Sequence, residues 1–279
     1  MFKKILCPVD FSEFTKFQLD YARGLAKTQD STITALYVLR LPLDVYDMQA
    51  WNSVYLQWQK SAEENMKMYC EPDITPLSSE SLNEAHQIVQ TATDGKFDLI
   101  LMPTHGYHGF QKILLGSVFQ GVLLKSHVPV LALPPKFFTK GLIEFKKPLN
   151  ILCPIDIQEG SAKLISFTET LAQEFDATFS ILHSIDLKAE LLRLLEKDTF
   201  SEEKKAARKR ILFEHPVSSR AHEVIVTHGV PHESILSAIE DHVDLLVLGY
   251  SLKSHKHLRS TLYRVIAELS IPAICVAVD

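Results

Sequence analysis

Residues 5–10 read ILCPVD and residues 151–156 read ILCPID, so one short block occurs twice in this chain of 279 residues. Two further pairs follow in the same order: FDLILMP (97–103) with VDLLVLG (243–249), and VPVLALP (128–134) with IPAICVA (271–277). The spacing between partners is nearly constant and is the size of a whole domain, which indicates a duplicated domain rather than a solenoid. We predict domains at 1–140 and 147–279, joined through PPKFFTKGLIEFKKP (134–148).

Each repeated block is a short apolar run typical of a buried strand, and amphipathic segments alternate with these runs. In the first copy Ser12 is predicted to cap a helix with Phe14, Phe17, Tyr21 and Leu25 on its inward face. Further helices are predicted over 51–69, 81–93 and 115–126, and strands over 3–9, 32–39, 98–102 and 128–133. Continuously apolar strands that alternate with helices predict an α/β fold with a doubly wound parallel sheet in each copy.

Composition and charge exclude several classes of protein. The net charge of −5 argues against non-specific nucleic-acid binding, which favours a basic face. The N-terminal MFKKILCPVDFSE lacks the features of a signal peptide, and no apolar run is long enough to span a membrane, so we expect a cytoplasmic protein. The four cysteines form no C-x-x-C pair and are predicted to be reduced thiols, with Cys70 exposed on a helix. No cluster of metal ligands is expected.

The stretch PTHGYHGFQKILLGS (103–117) is the candidate binding loop. It follows a predicted strand that ends at Met102 and leads into a helix near Gly116 and Ser117. Helix starts present unpaired backbone N–H groups, and glycine lets the backbone approach a phosphate closely. A glycine-rich loop can equally serve only to turn the chain, and the residues alone leave both interpretations open.

The order ILCPVD, FSE, LMPTHG, GS and VPVLAL resembles the universal stress protein family, once in each half of the chain. The resemblance implies two tandem flavodoxin-like domains of the adenine nucleotide alpha hydrolase type, each with a five-stranded doubly wound parallel sheet. It implies ATP, accompanied by Mg²⁺, at the carboxyl edge of the strands. It also implies that the last strands of the two domains pair in an intramolecular pseudo-dimer, with a further homodimer as an option.

Nucleotide-binding members of that family carry Gly-x-x-Gly and, after a spacer as long as residues 107–115 here, Gly-Ser or Gly-Thr. The first half keeps Gly106, Gly116 and Ser117, but Pro103 replaces the first glycine and has no N–H to donate. In the family the Pro-x-Asp aspartate meets the nucleoside and a valine backbone reads adenine. The resemblance therefore assigns these residues to the nucleotide: Pro8, Asp10, Val38, Met102, Pro103, His105, Gly106, Gly116 and Ser117.

The second half departs further from the family pattern. Leu252 replaces the middle glycine, and the loop that follows is shorter. The residues that remain as candidates there are Asp156, Gly249, Arg259 and Ser260. The loop SLKSHKHLR (251–259) is cationic, so it could hold an anion through side chains or simply be a solvated basic loop.

Three functions are consistent with this pattern. The first is a stress-response module that binds adenine nucleotide mainly in its first half and acts on unknown protein partners. The alternative is a degenerate tandem scaffold that binds no nucleotide and works through protein contacts. The third is an enzyme that hydrolyses ATP or transfers a nucleotidyl group. Because no nucleophile, base and orienting residue can be assembled from motifs, we expect slow ATP hydrolysis at most.

Overall fold

The computed structural model describes residues 1–41, 48–70, 72–105, 115–138, 147–157, 160–185, 197–215, 220–239, 242–253 and 258–279, with the backbone alone at 48–51, 197–200, 222 and 258–260. The chain divides into two units, Phe2–Lys146 and Lys147–Asp279. Each unit has its own parallel sheet and its own apolar core.

The first unit places five parallel strands in the order β3-β2-β1-β4-β5. Its elements are β1 (Lys4–Val9), α1 (Glu13–Gln29), β2 (Thr32–Arg40), α2 (Met48–Cys70), β3 (Ile74–Ser81), α3 (Glu84–Asp94), β4 (Leu99–Pro103), α4 (Ser117–Leu123), β5 (Val130–Leu133) and α5 (Pro135–Phe138). This order reverses direction between β1 and β4, which makes the space between these two strands the switch point of the sheet.

The second unit repeats that topology with the order β8-β7-β6-β9-β10, again all parallel. Its described elements are β6 (Asn150–Pro154), α6 (Ser161–Phe175), β7 (Thr178–Ile185), α7 (Lys197–Glu214), β8 (Ala221–His228), α8 (Pro231–Ile239), β9 (Leu245–Tyr250), α9 (Leu258–Glu268) and β10 (Ala273–Ala277). Both sheets have the doubly wound parallel arrangement that the sequence predicts, and the switch point of the second lies between β6 and β9.

A repeated aspartate ties the central strands together at the amino edge. Asp98 accepts hydrogen bonds of 2.9 Å from the backbone N–H groups of Lys3 and Lys4, at the start of β1. Asp244 does the same for Leu149 and Asn150 before β6, at 2.9 and 3.0 Å. The conserved place of this residue in the two copies therefore reflects a structural role, since each carboxylate satisfies two main-chain donors.

Helix α1 packs against the sheet as its periodicity predicts, although its first turn differs in detail. Phe14, Tyr21 and Leu25 are buried, and Phe17 is half-buried against Phe138 with ring centroids 5.7 Å apart. Ser12 occupies the N-cap position, but its hydroxyl makes no capping hydrogen bond. That detail of the prediction is wrong because the backbone carbonyl of Ser12 accepts from the first turn instead.

Two predicted helices have different bounds in the structure. The segment predicted as helix from 81 opens with the last residue of β3, and α3 begins only at Glu84, where the side chain of Asn83 accepts from the backbone N–H of His86 at 2.9 Å. The polar sequence of β3 hides its strand character because it pairs only with β2 at the edge of the sheet. The helix predicted over 115–126 is limited to α4, since the chain must turn into β5.

Cys70 is buried, so the prediction of an exposed thiol there is wrong. Next to it, Arg23 of α1 donates to the carbonyl of Tyr69 at 2.8 Å and also pairs with Asp73. This contact holds the last turn of α2 against α1, and the Cys70 side chain is buried. Cys7, Cys153 and Cys275 are buried in strands, and all four cysteines are free thiols.

Candidate functional site

The two strands at the switch point of the first unit separate towards their carboxyl ends. Between β1 and β4 the register consists of Ile5 with Leu99 and Leu6 with Ile100, and it stops there. By contrast, the pairing of β1 with β2 continues to Val9, and the pairing of β4 with β5 continues to Pro103. The strands thus diverge just where an α/β sheet places its ligand.

Gln18 spans this divergence. Its side chain is buried, and its amide donates to the carbonyl of Pro8 on β1 and to the carbonyl of Leu101 on β4, at 2.8 Å each. These two carbonyls would otherwise lack a partner across the gap, and an unsatisfied buried polar group is costly. Gln18 therefore fixes the spacing of the two strands immediately beneath the candidate site.

Asp10 lies one residue beyond β1 and is exposed at the mouth of this crevice. One of its carboxylate oxygens accepts from the backbone N–H of Ser12 at 3.0 Å. Between them Phe11 adopts a positive φ of 56°, which a side-chain-bearing residue rarely does. This tight turn into α1 holds the carboxylate at the carboxyl edge of the sheet.

The aromatic ring of Phe11 joins Asp10 to the second strand of the site. It stacks on Tyr37 with ring centroids 4.7 Å apart and lies 6.3 Å from the ring of Tyr69 at the end of α2. Burial, with a contribution from the Asp10 carboxylate, raises the pKa of Tyr37. Val38 follows on β2, one residue beyond the last pair with β1, and pairs with β3 at Ser79. Its backbone therefore lies next to the aromatic stack.

The base of the glycine loop is closed by main-chain hydrogen bonds. Thr104 donates its N–H to the carbonyl of Leu133 at 3.0 Å and accepts from the N–H of Gly116 at 2.9 Å. The Gly116 donor that the family motif offers to a phosphate is thus engaged within the loop. Ser117, the first residue of α4, is exposed.

Three other predicted positions lie around this base. Met102 is buried in β4, and Pro103 ends that strand opposite Leu133. His105 is 7% exposed, with its Nδ1 atom 2.8 Å from the hydroxyl oxygen of Thr104, so the ring is packed at the root of the loop. Gly106, the remaining predicted residue, lies outside the described residues.

The second unit fills its switch point differently. The register of β6 and β9 also stops after two pairs, Ile151 with Leu245 and Leu152 with Leu246. At the position equivalent to Gln18 the second unit has Leu164, whose side chain cannot donate a hydrogen bond. A Cβ added at Gly249 would lie 3.0 Å from Leu164 Cδ2 and 3.2 Å from Val278 Cγ1. This glycine is thus required by apolar packing.

The other second-half candidates are only partly placed. Asp156 is exposed two residues beyond the end of β6, and its backbone carbonyl accepts from the hydroxyl of Ser161. Arg259 and Ser260 lie in the first turn of α9, where the structure describes the backbone alone. Gly249, by contrast, is fully described and lies next to the side chains of Leu164 and Val278.

The described residues contain no group of three or more His, Cys, Asp and Glu side chains that could hold a metal ion. In the same part of the chain, every helix is too short or too polar to cross a membrane.

The repeated topology of the two units agrees with comparison to known families. Residues 1–134 and again residues 149–277 match the model of the universal stress protein family. The chain belongs to this family. As a tandem universal stress protein it carries one complete family unit in each half, which confirms the resemblance seen in the sequence.

Individual relatives match one unit or both. Universal stress protein MJ0531 of Methanocaldococcus jannaschii is 30% identical over 138 residues, which are 47% of this chain and 81% of that protein. Universal stress protein MJ0577 of the same organism is 27% identical over 162 residues, covering 49% and 97%. The crystal structure of a universal stress protein from Archaeoglobus fulgidus covers 98% of this chain and 96% of its own, with a TM-score of 0.67 at 19% identity. That structural match shows the fold alone.

Sequence reasoning missed two residues of this tandem universal stress protein. Gln18 was overlooked because its neighbours on the inward face of α1 are apolar, although a lone polar residue there is itself a signal. Asp279 was overlooked because nothing local links it to the loop that it contacts. Its side chain accepts from backbone N–H groups near residue 252.

Proposed function

We propose that the first unit of this tandem universal stress protein binds an adenine nucleotide, namely ATP with Mg²⁺, at the carboxyl edge of β1, β2 and β4. The observation that carries the proposal is the difference between the two switch points. The first is spanned by the amide of Gln18 beneath an exposed carboxylate, whereas the second is packed with Leu164 and Val278. A ligand site combines a concave surface with a few polar groups, whereas tightly packed side chains leave no room for a ligand.

The candidate residues fall into two groups, one for the nucleoside and one for the phosphates. Asp10, with its carboxylate at the mouth, would accept hydrogen bonds from the ribose hydroxyls. The backbone of Val38, beside the Phe11 and Tyr37 rings, would meet the base. Ser117 and the first N–H groups of α4 would face the phosphates. Because α4 spans only Ser117–Leu123, individual N–H and hydroxyl contacts matter more here than a helix dipole.

The biological role that we propose is that of a switch in a stress response. Occupancy of the first unit would change the surface offered to a protein partner, so the nucleotide would regulate binding rather than serve as a substrate. Turnover is expected to be slow at most. Phosphate release that depends on Asp10 would instead support an ATP-hydrolysing enzyme.

A scaffold that binds no nucleotide is the competing function, and two observations favour it. Pro103 removes one main-chain donor from the loop, and the N–H of Gly116 already donates to Thr104. If these features only weaken the site, Pro103→Gly should strengthen binding of ATP. If the site is lost, the substitution should leave binding unchanged.

The deciding experiment combines stoichiometry with a matched pair of variants. We expect purified protein, once denatured, to release close to one adenine nucleotide per chain, and calorimetry with Mg-ATP to give the same stoichiometry. Asp10→Ala should weaken binding about tenfold, the effect of roughly one lost charge-assisted hydrogen bond. Its counterpart in the second unit, Asp156→Ala, is the control and should have no effect. Two nucleotides per chain, or equal effects of the two variants, would contradict the proposal.

A further inference from the structure

The turn that follows β9 binds the side-chain carboxylate of Asp279 through backbone N–H groups. One carboxylate oxygen accepts from the backbone N–H of Leu252 at 2.9 Å, and the other accepts from the backbone N–H of Lys253 at 3.0 Å. The hydroxyl of Ser251 lies 3.4 Å from the second oxygen. Successive main-chain N–H groups that converge on one oxyanion form an anion-binding concavity.

This turn is the counterpart of the glycine loop in the first unit. Pro103 closes β4 opposite Leu133, and Gly249 pairs with Val276 at the equivalent place between β9 and β10. Ser251 therefore lies two residues beyond Gly249, as His105 lies two residues beyond Pro103. A carboxylate in the second unit thus occupies main-chain donors at the place where the family's loop meets a phosphate.

The equivalent position beyond the last strand has opposite charge in the two units. Three residues beyond Leu133 the first unit has Lys136, and three residues beyond Val276 the second unit has Asp279. In the second unit Lys163 of α6 donates to the main-chain oxygen of Asp279 at 3.1 Å. The two units thus differ in the charge of the residue at this position in the sequence.

The residue before Asp279 packs against two glycines of the second unit. Val278 packs against Gly160, whose φ is +98°, with a Cβ added there coming within 2.7 Å of the valine, and the same valine also flanks Gly249. Leu164 also contacts the position of Gly249, so apolar side chains fill the space next to this glycine. The turn offers two neighbouring backbone N–H groups that could bind an oxyanion such as phosphate.

The contacts leave the carboxylate charged. Partial burial acts to raise the pKa of Asp279, but the N–H groups of Leu252 and Lys253 and the hydroxyl of Ser251 outweigh it, so the pKa lies below its ordinary value. The turn therefore binds the ionised side chain in preference to the neutral one.

We propose that the turn 251–253 is an oxyanion site whose resident ligand is the Asp279 carboxylate, and that it binds inorganic phosphate when this carboxylate is removed. The second unit is then not an unused copy but a copy that supplies its own anion. This inference does not depend on nucleotide binding in the first unit, because every residue that carries it lies in the second.

The test follows the backbone amides of the turn in the full chain. In ¹⁵N-labelled protein the Leu252 and Lys253 resonances are recorded while inorganic phosphate is added. In Asp279→Ala these resonances should shift and saturate, with an affinity at least tenfold higher than in the unmodified chain. Asp279→Asn keeps one acceptor oxygen without the charge, so its affinity should lie between those two.

The control removes a negative charge elsewhere in the same unit. Glu202 on α7 is exposed and pairs with Lys205, so Glu202→Ala should behave like the unmodified chain. Equal phosphate affinities in all the proteins, or no response of the two amides in Asp279→Ala while its remaining spectrum stays folded, would overturn the proposal. A failure of nucleotide binding in the first unit would leave these amide shifts unaffected.

Discussion

Single side chains decide what each switch point contains. Gln18 and Leu164 stand at equivalent places in α1 and α6, each under a pair of strands that has just diverged. The amide satisfies two main-chain carbonyls, whereas the leucine fills its space with carbon against Gly249. The gap between the central strands is therefore filled by an amide in the first unit and by a leucine in the second.

We expect Gln18→Leu to destabilise the first unit by about 1–3 kcal/mol, because two buried carbonyls lose their donors and a leucine can supply none. The free energy of opening is measured by hydrogen exchange at the β1 and β4 amides. Gln87→Leu is the matched control, since the Gln87 amide is half-buried and lies 3.4 Å from the hydroxyl of Thr91. If the two substitutions cost the same, Gln18 does not hold the strands.

At the scale of elements, the helices on one face of the first sheet approach closely where their residues are small. Gly121 of α4 faces Ala85 of α3, and an added Cβ on the glycine would lie 2.6 Å from the Cβ of the alanine. Real Cβ atoms do not come this close, so the two helices would have to move apart. The short α4 is thus placed by its contact with α3 as well as by the loop before it.

Gly121→Ala should therefore destabilise the protein by about 1–3 kcal/mol through overpacking, even though alanine raises helix propensity by up to ~1 kcal/mol. Urea denaturation measures the change. The double variant Gly121→Ala with Ala85→Gly restores the space and should recover most of the loss. An equally unstable double variant would mean that the cost arises outside this contact.

Helix α2 shows a second feature at this scale. Its buried side chains Ala62, Met66 and Cys70 repeat at helical spacing, whereas Trp58 is 46% exposed. Trp51, Tyr55 and Trp58 also recur at helical spacing along α2. Trp58 is exposed, and the side chain of Trp51 lies outside the described residues.

At the scale of the whole molecule, both units bury thiols in their own cores. Cys7 and Cys70 lie in the first unit, and Cys153 and Cys275 lie in the second. Burial raises the pKa of all four, with that of Cys153 at about 12 although the hydroxyl of Thr168 lowers it in part. The reactive thiolate is therefore scarce until a unit opens.

We expect a thiol reagent at about pH 8 to leave the native protein unmodified and to label all four cysteines in denaturant. In intermediate denaturant, mass spectrometry should find the two cysteines of one unit labelled together, because each core opens as a unit. Labelling of Cys70 alone under native conditions would contradict its burial.

The sequence by itself determined the duplication, the family and the parallel sheet of each unit, because these depend on local periodicity and on blocks that repeat along the chain. It also identified the edge where Asp10, Val38 and Pro103 emerge, since parallel strands end together. Only the tertiary structure decided which contacts fill the two switch points. Gln18 meets Leu101, and Asp279 meets Leu252, across distances in the chain that no local pattern encodes. Such pairings exist only where segments remote in the chain pack together in the folded protein.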